Sequence, residues 1–179
     1  MTEPVRPSPG DPFTAALTSE LGKKTGVCWL RYDGRDHAAW HIWLDDALYV
    51  VSGGNEQPLP SLEEVTSLEV VMRSKESGGR LLTWVGAVSV VDPTDPLWEP
   101  VTAALVSDRL NLDDLATAAA DWAEHSVVSR IVPTDRVVES PGSLGDEAHL
   151  ATPRVTKATT RGALPRVLHR RAKRGPDLS

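Results

Sequence analysis

The chain has 179 residues, 19 basic and 25 acidic, with a net charge of −6. This length fits one domain with a hydrophobic core and is too short for two. Its single cysteine, Cys28, excludes an intrachain disulfide and a cysteine-based zinc site. No stretch approaches the roughly 18 consecutive apolar residues of a membrane span, and the proline-rich start lacks the apolar core of a secretory signal. We therefore expect a cytoplasmic protein.

The first elements are a leader and a helix. Residues 1–12 contain four prolines and a glycine, which is typical of a flexible leader. In the stretch that follows, "PFTAALTSELGKK", Phe13, Ala16, Leu17 and Leu21 recur at helical intervals. This spacing predicts a helix whose lysines suit its C-terminal end.

The next segment, "VCWLRYDGRDHAAWHIWLDDALYVV", predicts a three-stranded antiparallel meander. Asp33-Gly34 is among the strongest short signals for a two-residue hairpin turn, because a type I′ turn needs positive φ at both central residues. Asp45-Asp46 then turns the chain a second time. A two-residue first turn pairs Tyr32 with Arg35, Arg31 with Asp36, Leu30 with His37 and Trp29 with Ala38.

Alternation along these strands predicts two largely apolar faces. One face takes Cys28, Leu30, His37, Ala39, His41 and Trp43, and the other takes Val27, Trp29, Ala38, Trp40, Ile42 and Leu44. We expect one face to cover the interior of a closed sheet and the other to need a helix or a partner subunit.

A loop and a second β pair follow. "GGNEQPLP" predicts a loop, and "SLEEVTS" predicts a short helix with Ser61 as its cap and Glu64 three residues later. "LEVVMRSK" and "RLLTWVGAVSVVD" predict two strands joined by the turn "ESGG". Gly86 within the second strand indicates a bulge or the close approach of another group.

Two helices, a strand and a tail complete the chain. "PTDPLWEPVTAALVSDRL" predicts a helix with Asp95 as cap and Pro96 at its first position, and "NLDDLATAAADWAEH" predicts a helix opened by Asn111. "SVVSRIVPTDRVVE" returns to strand character. Residues 140–179 predict a disordered tail. Eight lysines and arginines and no acidic residue lie within 154–174, so the tail is either a solvated extension or a weak, non-specific contact for polyanions.

The order of these elements resembles the split β-barrel of the pyridoxamine-phosphate-oxidase-like flavin-binding superfamily. The resemblance is carried by "YDGRDHAAWHIWLDDALYVVSG", which echoes that family's Asp-Gly-Arg-x-His hairpin, by "VVMRSKESGGRLLTWVGAVSVV" and by "DPLWEP". It covers about residues 13–138. It implies an α+β fold, an antiparallel split barrel of about six strands with peripheral helices, as a domain over residues 13–139.

The same resemblance implies a homodimer with flavin sites at the subunit interface. The cofactor is most often FMN, while some relatives take a deazaflavin, some bind haem and some have no known cofactor. This chain departs from the pattern, because no lysine or arginine lies between Arg35 and Arg73, where four glutamates (residues 56, 63, 64 and 69) would oppose a phosphate. The remaining candidates for cofactor binding are Ser52, Gly53, Asn55, Arg73, Ser74, Lys75 and Trp84.

Other constellations predict no catalytic residue and no metal site. His37 and His41 lie four residues apart, which spans about 13 Å on a strand, so one metal ion cannot contact both. "GKKTG" lacks the order of a phosphate-binding loop. Three hypotheses remain: a flavin-dependent oxidoreductase of unknown substrate, a non-catalytic split-barrel dimer that binds a small ligand or a protein partner, and a nucleic-acid or membrane-surface contact made by the basic tail.

Overall fold

The computed structural model describes residues 12–74, 79–109 and 117–143 of the chain. These ranges hold seven strands, three α-helices and one 3-10 turn. No helix among the described residues is long and apolar enough to cross a bilayer. In chain order the elements are α1 Pro12–Lys24, β1 Val27–Tyr32, β2 Arg35–Trp40, β3 Ile42–Leu44, β4 Ala47–Ser52, the 3-10 turn Leu62–Glu64, β5 Ser67–Arg73, β6 Arg80–Val90, α2 Trp98–Asp108, α3 Ala118–His125 and β7 Val127–Glu139.

The strands form one curled antiparallel sheet with the order β2-β1-β5-β6-β7-β4-β3. Five strands have neighbours on both sides, and β2 and β3 are the two edges. This is the α+β split barrel that the sequence predicts, with seven strands where about six were expected. The extra strand arises at one residue, His41.

The first hairpin has the predicted register. Asp33 and Gly34 both have positive φ, 49° and 70°, as a type I′ turn requires. All four predicted pairs are present, from Tyr32 with Arg35 to Trp29 with Ala38. Asp45 and Asp46 also turn with positive φ, 45° and 55°.

The predicted three-stranded meander is wrong, because its middle strand breaks at His41. β2 pairs with β1, whereas β3 pairs with β4 at the opposite edge of the sheet. At the break, the His41 N–H donates to the carbonyl of Gly26 at 3.2 Å. The Gln57 side-chain amide bonds the backbone of Trp40 twice, accepting from its N–H at 2.7 Å and donating to its carbonyl at 2.8 Å. Gln57 thus takes the place of a neighbouring strand where the sheet turns its corner.

The two faces of the sheet enter two separate hydrophobic clusters. The barrel interior contains Cys28, Leu30 and Ala39, with Trp43 packed at its margin. A second cluster joins the sheet to α2 and α3, and it contains Ile42 together with Trp40 and Leu44. The predicted division into an interior face and a helix-covered face is therefore confirmed, although Val27 and Ala38 of the second set are exposed.

Gly86 lies at an irregularity of the sheet, as predicted. Trp84 pairs with Val137 and Gly86 with Pro133, so one residue of β6 faces three of β7. A Cβ on Gly86 would overlap the side chain of Ile131. The sequence therefore places glycine where β7 bulges and its neighbour approaches closely.

Two predicted helix starts are corrected. Ser61 has φ 56° and no side-chain capping bond, and the helix after it is a single 3-10 turn. α2 begins at Trp98, and its cap position is Leu97. Asp95 instead accepts the N–H of Leu97 at 2.8 Å in a turn before the helix. Asn111, Lys75, residues 1–11 and residues 144–179 lie outside the described residues.

Candidate ligand-binding cavity

A cavity of about 380 Å³ lies between α1, the β3–β4 turn and the bulged part of β7. We call it the α1 cavity. Its volume is within the range of small-molecule sites, roughly 300–1,000 Å³. The described residues that line it are Thr14, Ala15, Thr18, Ser19, Trp43, Asp46, Trp84, Val132, Pro133, Thr134, Asp135 and Val137.

Two tryptophans form the base of the α1 cavity. The Trp43 and Trp84 rings meet edge to face, with centroids 6.5 Å apart and planes at 90°. Trp43 approaches α1 closely because Gly22 has no side chain, and a Cβ there would overlap the indole ring. The Trp43 Nε1–H is buried and has no hydrogen-bond acceptor among the described residues.

One flank of α1 and the β7 bulge supply the walls. Thr14, Ala15, Thr18 and Ser19 follow the i, i+1, i+4, i+5 spacing of one side of a helix. Opposite them, the bulge presents Thr134 and Asp135 in succession, which a regular strand would point to opposite faces. Asp46, in the β3–β4 turn, closes the rim.

The hydroxyl hydrogens of two wall residues are already used inside the protein. Thr18 Oγ1 donates to the carbonyl of Thr14 at 2.8 Å. Thr134 Oγ1 donates to the carbonyl of Val85 at 2.7 Å, across the bulge. Each hydroxyl therefore retains only acceptor capacity, and the Thr134 oxygen already accepts from the Arg136 N–H at 3.3 Å.

His41 lies behind this wall, with its Nε2 3.3 Å from the carbonyl of Gly22. The side chain is buried, and burial lowers the pKa of His41 to about 4, although hydrogen bonds with Gly22 and Ala39 favour the charged form. His41 is therefore neutral at neutral pH. His37 instead stacks on Tyr32 at 4.3 Å, so the two histidines have separate surroundings.

The predicted site residues lie in three places. Trp84 is in the α1 cavity. Ser52 is buried at the end of β4 and pairs with Val127, while Gly53 accepts a hydrogen bond from the Ser126 hydroxyl at 3.2 Å. Asn55 is exposed in the loop that follows.

Arg73 and Ser74 lie at the turn between β5 and β6. The Arg73 guanidinium carbon is 4.0 Å from the centre of the Trp29 ring, and the Ser74 N–H donates to the carbonyl of Gly79 at 2.9 Å. Arg73 pairs with Arg80, the first residue of β6. Ser52 pairs with Val127 of β7, which lies past Ser129, the partner of the last residue of β6. A single chain therefore does not bring Ser52 and Arg73 together.

The glutamates predicted to repel a phosphate are partly neutralised. Glu56 forms an ion pair with Arg109 and accepts a hydrogen bond from Trp122 Nε1 at 2.9 Å. We call these three residues the Glu56 centre. Arg31 contacts Glu69 at 3.1 Å and Asp36 at 2.6 Å, and its hydrogen bond holds the pKa of Asp36 below its ordinary value. The sequence offered no local signal for Arg109, since it lies far along the chain from Glu56.

Several solved structures are similar to this chain. No family model matches the sequence, and no curated protein matches it. A putative pyridoxamine 5'-phosphate oxidase from Listeria innocua is 19% identical, covers 70% of this chain and 98% of its own, and has a TM-score of 0.48. A protein described as F420 reductase is 20% identical over 65% and 92%, with a TM-score of 0.43. The heme storage protein HutZ from Vibrio cholerae is 15% identical over 67% and 89%, with a TM-score of 0.48. In all three comparisons the identity is 20% or lower and the TM-score is below 0.5.

Proposed function

We propose that this protein binds a small planar molecule in the α1 cavity. The observation that carries the proposal is the cavity of about 380 Å³ with Trp43 and Trp84 at its base and a few polar side chains on its walls. Such a combination of aromatic surface and few polar groups is typical of small-molecule sites. The Trp43 ring offers flat apolar contact area, since Trp84 is only 1% exposed, and the rim polar groups orient the molecule.

Binding and orientation are the roles that the lining residues support. The described lining has no cysteine, histidine or lysine. The Thr18 and Thr134 hydroxyls donate to backbone carbonyls rather than to Asp46 or Asp135, so neither threonine is activated by a carboxylate. If the bound molecule is a flavin, the redox chemistry belongs to the cofactor, and the protein positions it and excludes water. In that case we propose that the protein is a flavin-dependent oxidoreductase.

The test follows the indole N–H resonances of Trp43 and Trp84, each assigned with its Trp→Phe variant, during titration with riboflavin, FMN and a deazaflavin. The absorbance spectrum of protein purified from its native host is recorded beside it. We expect a planar ligand to shift both resonances. Ala15→Phe, which fills the cavity from α1, should abolish the shifts, and Ala123→Phe on the exposed side of α3 should not. Equal shifts in wild type, Ala15→Phe and Ala123→Phe would refute binding in the cavity.

A second candidate function is FMN binding at the interface of a homodimer. One observation favours it: Arg73 lies over Trp29 and has no carboxylate at ion-pair distance among the described residues. The pKa of Asp36 is lowered by its hydrogen bond to Arg31 and, less strongly, by the charge of Arg73. Because that carboxylate is bonded to Arg31, the Arg73 guanidinium is available to a phosphate. Because Ser52, Gly53 and Asn55 lie at the other end of the sheet, they would reach the same cofactor only from a second copy of the chain.

This second candidate predicts that Arg73→Ala weakens FMN binding by roughly 1.5–3 kcal/mol. Arg136→Ala removes an exposed arginine elsewhere and serves as the control. Sedimentation equilibrium gives the oligomeric state. A monomer, or equal FMN affinity in wild type and Arg73→Ala, would exclude this candidate without affecting the α1 cavity.

A further inference from the structure

We propose that the α1 cavity selects an organic cation that donates hydrogen bonds, such as an aromatic amidine or a planar amine. The inference rests on the proposed function, since it names the ligand class of the same cavity. It is carried by the charge of the lining, by the direction of its hydrogen bonds and by the orientation of α1.

The charge of the lining is negative. Asp46 and Asp135 are the charged residues among the described lining, which includes no lysine or arginine. Neither carboxylate lies within ion-pair distance of a lysine, arginine or histidine in the part of the chain that the structure describes. A phosphate placed here would meet two like charges, whereas a cation would meet two opposite ones.

Four side chains on the walls present acceptors to a ligand, and the Trp43 Nε1–H at the base is a donor that has no acceptor among the described residues. The two carboxylates only accept when ionised. Thr18 and Thr134 have already donated their hydroxyl hydrogens to backbone carbonyls, so lone pairs are what they present to a ligand. One lone pair of Thr134 is used by the Arg136 N–H, which donates to it at 3.3 Å. A ligand rich in N–H groups satisfies these acceptors, and bonds from a charged donor to a carboxylate are the strongest of this kind.

The orientation of α1 does not reverse this preference. A helix N-terminus attracts anions through its unpaired N–H groups, which point along the axis. The residues that face the cavity form a stripe along the flank of α1, and two of them, Thr18 and Ser19, lie beyond its first turn, where backbone N–H groups are bonded within the helix. The lysines of α1 lie in its last turn, and Lys24 forms an ion pair with Glu20 at 2.6 Å.

The tryptophans at the base favour the same ligand. An indole ring attracts a cation through its quadrupole, most strongly where the site is partly desolvated. A planar cation also matches the flat apolar area that Trp43 contributes to the cavity. Charge, hydrogen bonding and the aromatic base therefore favour one chemical class.

The experiment compares three probes of nearly equal shape: benzamidine, a cation; benzamide, neutral; and benzoate, an anion. Affinities are measured from the indole N–H shifts of Trp43 and Trp84. We expect benzamidine to bind at least about fivefold more tightly than benzamide and benzoate to bind most weakly. The preference for benzamidine should shrink as salt is raised, because the rim carboxylates are exposed to solvent.

Substitutions test which residues cause the preference for benzamidine. In Asp46→Asn/Asp135→Asn the ratio of benzamidine to benzamide affinity should fall to about one, since both charges are gone while the shape is kept. Asp33→Asn changes an exposed aspartate in the other hairpin turn and should leave the ratio at its wild-type value. If the affinity ratio stays at its wild-type value in the double variant, the inference is overturned.

The remaining outcomes separate the inference from the proposed function. If benzamidine and benzamide shift the two indoles equally, the cavity binds planar molecules without regard to charge, so this inference is overturned and the proposed function stands. If none of the three probes shifts them, the inference is overturned, and the flavin titration with Ala15→Phe decides the proposed function separately.

Discussion

Two acidic regions lie beside tryptophans in this protein, and they differ in what surrounds their carboxylates. In the Glu56 centre, the Glu56 side chain is only 8% exposed, and Arg109 and Trp122 Nε1 both contact it. At the α1 cavity, Asp46 and Asp135 are exposed and have no cationic partner among the described residues. A carboxylate that finds its partners within the chain stabilises the fold, whereas one that does not is available to a ligand.

The position of each region explains this difference. Glu56 follows β4, and its partners come from the end of α2 and from α3, so the ion pair joins the loop to the helices that cover the outer face. Asp46 lies in the turn between the paired strands β3 and β4, and Asp135 lies on the bulge that the Thr134 hydroxyl bonds to the carbonyl of Val85. Their side chains are not needed there to join two elements.

The largest expected effect comes from breaking the Glu56 centre. Glu56→Ala leaves the half-buried Arg109 guanidinium and the Trp122 Nε1–H without their acceptor, and we expect the free energy of unfolding to fall by about 3 kcal/mol. Urea denaturation measures it. Glu63→Ala, at an exposed glutamate of the 3-10 turn, is the control and should change stability by less than about 0.5 kcal/mol. Equal losses in the two variants would mean that the ion pair does not hold the loop.

The next effect concerns the wall behind the α1 cavity and depends on pH. His41 has its pKa lowered from 6.5 to about 4 in the folded protein, so the unfolded state binds more protons between these values. Stability from this group is complete above pH 6.5 and is lost as pH falls toward 4, by roughly 3 kcal/mol in total. His41→Gln should lose this part of the pH dependence of unfolding, and the exposed His125→Gln should keep it. If the free energy of unfolding changes with pH in the same way in wild type and His41→Gln, the result would contradict a buried, neutral His41.

A smaller effect tests how α1 closes over Trp43. Gly22→Ala places a Cβ against the indole ring and should cost about 2 kcal/mol by overpacking, since a rigid ring cannot yield as a flexible chain does. Gly26→Ala is the matched control, because a Cβ there meets nothing within 4 Å. Thermal unfolding compares the two. A Gly22→Ala protein as stable as Gly26→Ala would show that α1 can move away from β3 without loss.

The sequence predicted the local features well because their causes are local. The turn at Asp33-Gly34 sets the register of the first hairpin, and period-two alternation separates the interior face from the helix-covered face. Gly86 marked the irregular pairing of β6 and β7. Each of these conclusions depends on residues that are close together in the chain.

The break at His41 and the α1 cavity were not predicted, because their causes are distant in the chain. Both halves of "RDHAAWHIWL" keep the same alternation, and the break depends on the Gln57 amide, 17 residues beyond Trp40. The cavity joins residues of α1, the β3–β4 turn and β7, and nothing in their local patterns indicates that they meet. Of the predicted site residues that the structure describes, Trp84 alone lies in it, and the roles of the others stay predictions.

The smallest expected effect on stability sharpens the contrast with the Glu56 centre. Asp46→Asn should change the free energy of unfolding by less than about 0.5 kcal/mol, because the carboxylate has no partner to lose. Asparagine also tolerates the positive φ of 55° at this position, whereas Asp46→Val should cost about 1–2 kcal/mol through backbone strain alone. Denaturant unfolding at two salt concentrations measures both. If Asp46→Asn instead cost more than about 1 kcal/mol, its carboxylate would have an internal partner, and the charge at the rim of the cavity would be structural like that of Glu56.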